Sequence, residues 1–326
     1  MAITSGAGLH QAWLNVDGAQ FLIESGTVNQ SAKRKTSTFH CTLPLTEQAD
    51  DALATIGDNS TSVTCLTRGV TGTLITGEID KVRFDMIART IVVTGRDKSA
   101  KLHEIKSSEK WLNKTPSDIV QDLIGRVGIS GGNITSSSIM AGKKVVQDFV
   151  KLSDNVSAAY IIHKLSQLDG ARWWVDPQGQ FHYVPIGTPS GVYSIFIDQS
   201  GEPIVSDCLD LKISRNVQAG KSIKATVKSW HPRKKQNFQY DSTVPGNGGP
   251  LEYNFQIPNL QQDHVTKYAQ SMASERARHE LTVSATVVGD PTVYAGMGLQ
   301  LRGTGYFDQT YDIDTLTHHT STSLPW

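Results

Sequence analysis

The chain lacks most of what would commit it to chemistry. Over 326 residues its 31 acidic and 31 basic side chains cancel, which removes any whole-chain electrostatic argument for nucleic acid or membrane binding. Its three cysteines, Cys41, Cys65 and Cys208, are odd in number and widely spaced. That pattern favours reduced, buried thiols over a disulfide framework. The first 25 residues hold Asn15, Asp17, Gln20 and Glu24 around no adequate apolar core, so they do not read as a signal peptide. No run is long and apolar enough for a membrane span.

Catalytic signatures are equally sparse. No Cys/His set has zinc spacing, and no Gly-rich phosphate loop precedes a helix. Gly128-Ile129-Ser130-Gly131-Gly132 spells G-x-S-x-G, but that motif works only where a strand leads into the serine and a helix leaves it. Here a helical pattern comes before and a polar tract follows, so the stretch reads as a helix-ending loop. His279-Glu280 lacks the second histidine of a zinc protease, and His318-His319, adjacent in a strand, point to opposite faces. Carboxylate pairs suited to glycoside hydrolysis cannot be located. Lys33-Arg34-Lys35 and Arg233-Lys234-Lys235 read as solvated loops or strand ends. The expectation is no catalytic residue, no cofactor and no metal.

What the chain does have is patterned hydrophobicity. Trp13 to Val16 and Phe21 to Ile23 flank Asp17-Gly18, a strong type I′ hairpin signal. Alternating segments follow at Phe39–Leu43, Val63–Leu66, Thr73–Ile79 and Ile91–Thr94, with helix signals nearly absent, which indicates a small barrel or sandwich. After Ala100 the character changes. Thr115-Pro116-Ser117-Asp118 opens a helix with a capping threonine, proline at the first position and an acid three residues on, ending near Gly128. A second helix runs from about Ser157 to Leu168.

Next comes an aromatic hairpin, with Trp173 and Trp174 on one arm and Phe181 and Tyr183 on the other. It reads either as the core of a small unit or as a ligand platform. Strands resume at 193–197 and 209–213, assigned to the first barrel, and another begins at Ile223. The polar stretch from Pro232 to Pro258 reads as a long mobile loop. Val265, Tyr268, Ala269, Met272 and Ala273 recur at helical spacing over 263–280, with Asp263 as the cap. A three-stranded antiparallel meander through Leu281–Val287, Met297–Leu301 and Tyr311–Ile313 follows, too short to hide both of its edges.

The size suggests two or three domains. The fold expected is mainly β with an α+β insertion: a first β-barrel from 1–102 with 187–214, an inserted α+β domain at 103–186, and a second β-barrel with one helix at 215–326.

In this order, the features resemble the baseplate hub proteins of contractile-tailed phages, the phage late control D protein family. The residues that carry the likeness are Ile91-Val92-Val93-Thr94-Gly95-Arg96-Asp97 with Ser99, Ala100 and Leu102. Thr115 to Val120 with Leu123 and Gly128, Tyr294 to Leu301, Tyr311-Asp312-Ile313 and Leu316-Thr317-His318 add to it. The resemblance implies two tandem tail-tube-like barrels per chain and a homotrimer whose six units form a pseudo-sixfold ring. Such a ring would join a hexameric tail tube, or a tube-initiator protein, to a trimeric spike. Wedge and tape measure proteins would be further partners, with DNA in transit through the lumen and no membrane insertion. Some relatives carry a cell-wall-degrading domain, and none is expected after the last strand here. The location implied is the virion tail baseplate, after synthesis in the host cytoplasm. A peptidoglycan-binding or peptidoglycan-degrading tail protein is the alternative, motivated by Trp173 and Trp174.

Overall fold

The computed structural model describes residues 10–57, 59–108, 111, 114–137, 155–201, 204–218, 220–231, 235–258, 260–278 and 280–321. It is mainly β. Alternating side chains build the first sheet, because strand residues point to opposite faces in turn. Eight strands neighbour one another in the order Ala19–Leu22, His10–Val16, Thr61–Thr67, Val70–Asp85, Thr90–Asp97, Thr38–Pro44, Ser25–Ser31 and Thr315–Ser321, every pair antiparallel.

The sheet curls, since Thr315–Ser321 also approaches His10–Val16. Its concave face encloses Leu14, Phe21, Val28, Phe39, Cys41, Val63, Ile75, Ile91 and Val93. Each large side chain so buried contributes about 1.5–3 kcal/mol. Asp17 and Gly18 have φ of 48° and 91°, as the type I′ turn requires. The near absence of helix expected here is corrected by Glu47–Ala54. Thr46 caps it by accepting from the Ala49 N–H, and Ala49 and Leu53 enter the core.

The insertion has a separate core. Thr115 and Asp118 form the reciprocal capping box at the start of the helix Pro116–Arg126, whose Ile119, Val120, Leu123 and Ile124 are buried. Ser157 caps the helix Ala158–Asp169, and Gly170 closes it at φ 65°. These helices pack on a three-stranded sheet in which Gln180–Pro185 lies between Ala171–Val175, antiparallel, and Ser130–Ile134, parallel.

The remaining strands depart from expectation in three ways. The terminal meander does not exist as such: Leu281–Val287 pairs with Cys208–Arg215, Gly298–Arg302 pairs in parallel with Val192–Asp198 and antiparallel with Thr310–Asp312, and Thr315–Ser321 joins the first sheet. Consequently the strands at 193–197 and 209–213 complete no part of the first sheet, and 187–214 belongs with the later strands. The physical reason is that apolar alternation specifies which face is buried and leaves the partner open.

The third correction concerns 232–258. Gln236–Val244 and Leu251–Gln256 are strands flanking Ile223–His231 on opposite sides, the first antiparallel and the second parallel. Phe238, Tyr240, Leu251, Tyr253 and Phe255 supply the alternation that the surrounding polar residues obscured. The loop at 245–250 therefore arches across the start of the central strand. Helix Gln262–Ala277 covers this sheet, setting Val265, Tyr268, Ala269, Met272 and Ala273 against Ile223, Ala225 and Val227. Its N-cap position is Gln261, whose side chain makes no capping hydrogen bond, and Asp263 lies inside the first turn, where the carboxylate still meets the positive end of the helix dipole.

Candidate assembly surfaces and the junction between sheets

Gly95-Arg96-Asp97 has a distinct job for each residue. A Cβ at Gly95 would lie 2.2 Å from the Glu78 carbonyl oxygen and 2.5 Å from the Phe39 ring, so the strands close on each other only over a bare backbone. Arg96 points outward, donating to both Asp80 carboxylate oxygens at 2.7 Å and to Glu104 at 2.8 Å. Asp97 points inward. Only 3% exposed, it accepts from the Ser37 N–H at 2.8 Å, the Ser99 N–H at 2.8 Å and the Ser99 hydroxyl at 2.5 Å. Burial pushes its carboxyl up, against the pull of those donors. The end of this strand thus ties the first sheet to the entrance of the insertion.

A second polar centre joins the insertion to the later strands. Arg172, from the aromatic hairpin, donates to the carbonyls of Thr188 and Gly296 at 3.1 and 3.2 Å and pairs with Asp312 at 3.2 Å. Its guanidinium stacks 4.9 Å from the Trp174 ring centroid, which compensates in part for a buried Nε and Nη1 without hydrogen-bond partners. Arg278 pairs with Asp312 at 2.8 Å and Asp314 at 3.5 Å, and Lys33 reaches Asp314 at 2.9 Å. Gly296 lies against the indole: a Cβ there would be 2.5 Å from Trp174. Gln30 adds a third tie, donating to the Leu74 carbonyl at 2.6 Å and accepting from the Ala295 N–H at 2.9 Å.

These contacts decide the remaining sequence candidates. Trp173 and Trp174 are 1% and 2% exposed, and Phe181 and Tyr183 are buried, so the hairpin is core and junction and offers no ligand platform. His182 also stacks on Trp174, at 5.0 Å. Its Nδ1 accepts from the Asn133 N–H, which leaves Nε2 to donate to Asp176 at 2.8 Å. Ser130 begins an exposed strand instead of sitting on a strand-to-helix elbow. His318 contacts the Val293 carbonyl and His319 contacts Thr27, on opposite faces. Glu280 pairs with Arg215 at 2.9 Å; His279 lies outside the described residues, as do Arg233 and Lys234. Lys33 and Arg34 face Asp314 and Glu275 within the chain, so that cluster is partly internal. Cys41 and Cys65 are free and buried, and Cys208 is half-buried.

The open edges expected of a short meander are present, on other strands, as unfinished sheet. Among the described residues, Leu281–Val287 and Cys208–Arg215 pair only with each other, and Gln236–Val244, Leu251–Gln256, Val205–Ser206 and Thr310–Asp312 each have one neighbour. A cleft of about 690 Å³ runs along Leu281–Val287 and residues 309–316, and half-buried Tyr193, Val283, Val287, Leu299 and Tyr311 line it. Val192, Phe196, Ile204, Val205 and Leu209 are exposed along one stretch of chain, and Ile87, at a hairpin tip, is 98% exposed. Free strand edges beside exposed apolar side chains invite pairing with another chain.

Solved structures similar to this chain include phage tail proteins. The 43 kDa tail protein of prophage MuSo2 from Shewanella oneidensis is 15% identical, superimposing with a TM-score of 0.70 over 97% of this chain and 96% of that one. A tail protein from Neisseria meningitidis MC58 is 12% identical, with a TM-score of 0.69 over 96% and 93%. The E. coli c3393 protein is a component of the type VI secretion system with structural similarity to the T4 bacteriophage tail proteins gp27 and gp5. It is 10% identical, with a TM-score of 0.53 over 95% and 73%. No catalogued protein family and no curated protein matches the sequence. The likeness is therefore one of fold: this chain has the mainly β fold of phage tail proteins.

Proposed function

We propose that this chain is a structural baseplate hub of a contractile phage tail, acting in the virion. In this reading it assembles as a homotrimer. The curled first sheet and the later strands with their helix serve as two tube-like units per chain, and the α+β insertion of about 103–186 lies between them. Three copies would set six such units around the tail axis, matching a hexameric tube on one side and a trimeric spike on the other, with DNA passing through the lumen.

One observation carries the proposal: the likeness to the MuSo2 tail protein spans 97% of this chain and 96% of that one, which supports a tail role for the whole chain. The free edges support it, because a ring of copies would satisfy them from neighbouring subunits. A non-enzymatic role is supported by the tail-protein neighbours. Contacts with tube-initiator, wedge or tape measure proteins belong to the same proposal. The test is solution mass of the purified chain, followed by co-purification with its trimeric tail spike. A trimer that retains the spike supports the reading, and a monodisperse monomer that ignores it overturns the reading.

A further inference from the structure

We propose that Asn247 is a site of spontaneous covalent modification in the folded protein, its side-chain amide passing through a succinimide to aspartate and isoaspartate. Asn247 is the only asparagine in the chain followed by glycine. The absence of a side chain at Gly248 lets that residue's backbone nitrogen approach the Asn247 Cγ, and Gly248 adopts φ 121°, a conformation closed to other residues. Both residues are exposed.

The local bonding leaves the reacting atoms free. Asn247 is held through its own N–H, which donates to the Gly220 carbonyl at 2.8 Å. Among the described residues neither its side chain nor the Gly248 N–H has a hydrogen-bond partner. Asn15 makes the contrast: its amide donates to Ser62 and Thr64 and the β-branched Val16 follows it in a strand.

The chemistry needs only water. The Gly248 nitrogen attacks Cγ, a new C–N bond forms, and the side-chain amide nitrogen leaves as ammonia, taking up the proton lost from the Gly248 N–H. Water then opens the ring. Cleavage at Cγ gives aspartate, and cleavage at the main-chain carbonyl gives isoaspartate, in which the backbone runs through the former side chain.

Isoaspartate lengthens a loop that has little slack. A Cβ at Gly246 would lie 2.5 Å from the Lys221 carbonyl carbon, and Leu251 donates to the Ser222 carbonyl at 2.7 Å. The conversion therefore adds both a negative charge and a methylene where the loop crosses the central strand.

The experiment is to incubate the intact native chain in mildly alkaline buffer, with a urea-unfolded sample and an Asn247→Gln variant alongside. Peptide mass spectrometry then follows exchange of NH2 for OH, and isoaspartyl methyltransferase labelling detects isoaspartate. The expected result is time-dependent conversion confined to Asn247 in the native chain and absent from the Asn247→Gln variant. Conversion only in urea would mean the fold protects the amide and would overturn the proposal, as would native conversion centred on another asparagine or no conversion in any sample.

Discussion

Asp312 is the residue whose loss should destabilise the junction most for its size. It is the carboxylate shared by Arg172 and Arg278, at 3.2 and 2.8 Å, and the Arg172 and Asp312 side chains are only 6% and 13% exposed. Asp312→Ala leaves Arg172 charged and buried, with two carbonyls and an indole face as its remaining company. Breaking a buried pair from one side costs about 3–5 kcal/mol. Arg278, 31% exposed and already near Asp314, loses about 0–1 kcal/mol by comparison. Arg172→Met removes the buried charge instead and leaves Asp312 paired with Arg278, so its cost should be lower by about 2 kcal/mol, because apolar replacement of a buried ion is often near neutral. At about 2–4 °C per kcal/mol for a body of this size, Asp312→Ala should melt roughly 6–20 °C below the native chain. Arg172→Met should melt closer to native, and the double variant above Asp312→Ala alone. Tryptophan fluorescence melting checks the order, Trp174 being the reporter beside the guanidinium. If Asp312→Ala melts with the native chain, or Arg172→Met is the worse variant, the assignment of Arg172 as a charge dependent on Asp312 is refuted.

Other consequences are more local. Asp97→Ala orphans the buried Ser37 and Ser99 N–H groups and should cost about 2–6 kcal/mol in urea unfolding, from about 1–3 kcal/mol per unsatisfied group. Gly95→Ala, forced against the Glu78 backbone and Phe39, should cost about 1–3 kcal/mol or more as overpacking, read by the same assay. Burial holds His163 down at about 4 against an ordinary 6.5. The unfolded chain then binds its proton first, so stability should be full above pH 6.5 and fall as pH drops toward 4; urea midpoints across that window should fall less for His163→Gln. The Cys41 thiol, pushed up to about 12 by burial, should resist a thiol reagent in the native state while half-buried Cys208 reacts first, as peptide mapping would record.

The legible parts of the fold were those written locally. The type I′ turn at Asp17-Gly18, the capping box at Thr115 and Asp118, the Gly170 helix end and the buried face of the helix Pro116–Arg126 follow from neighbouring residues and came out as expected. Non-local pairing did not. Val192–Asp198 meets Gly298–Arg302 in parallel across a hundred residues, and alternation carries no signal for the partner chosen. Helix Glu47–Ala54 was hidden because its inward face is only Ala49 and Leu53. Phe238, Tyr240, Tyr253 and Phe255 were visible in principle, yet the glycines and prolines at 245–250 made the whole stretch look like loop. Of the junction, Gln30 offered one clue: a polar residue two positions after buried Val28, on the inward face of its strand. Arg172 and Asp312 lie 140 residues apart and gave none.

Electron cryomicroscopy of an assembled tail tests the account's central claim most directly. The account predicts three copies around the tail axis, between tube and spike, with the borders at Leu281–Val287 and Gln236–Val244 covered by neighbouring chains. Density for this chain away from the axis, or a copy number other than three with those borders bare, would contradict it.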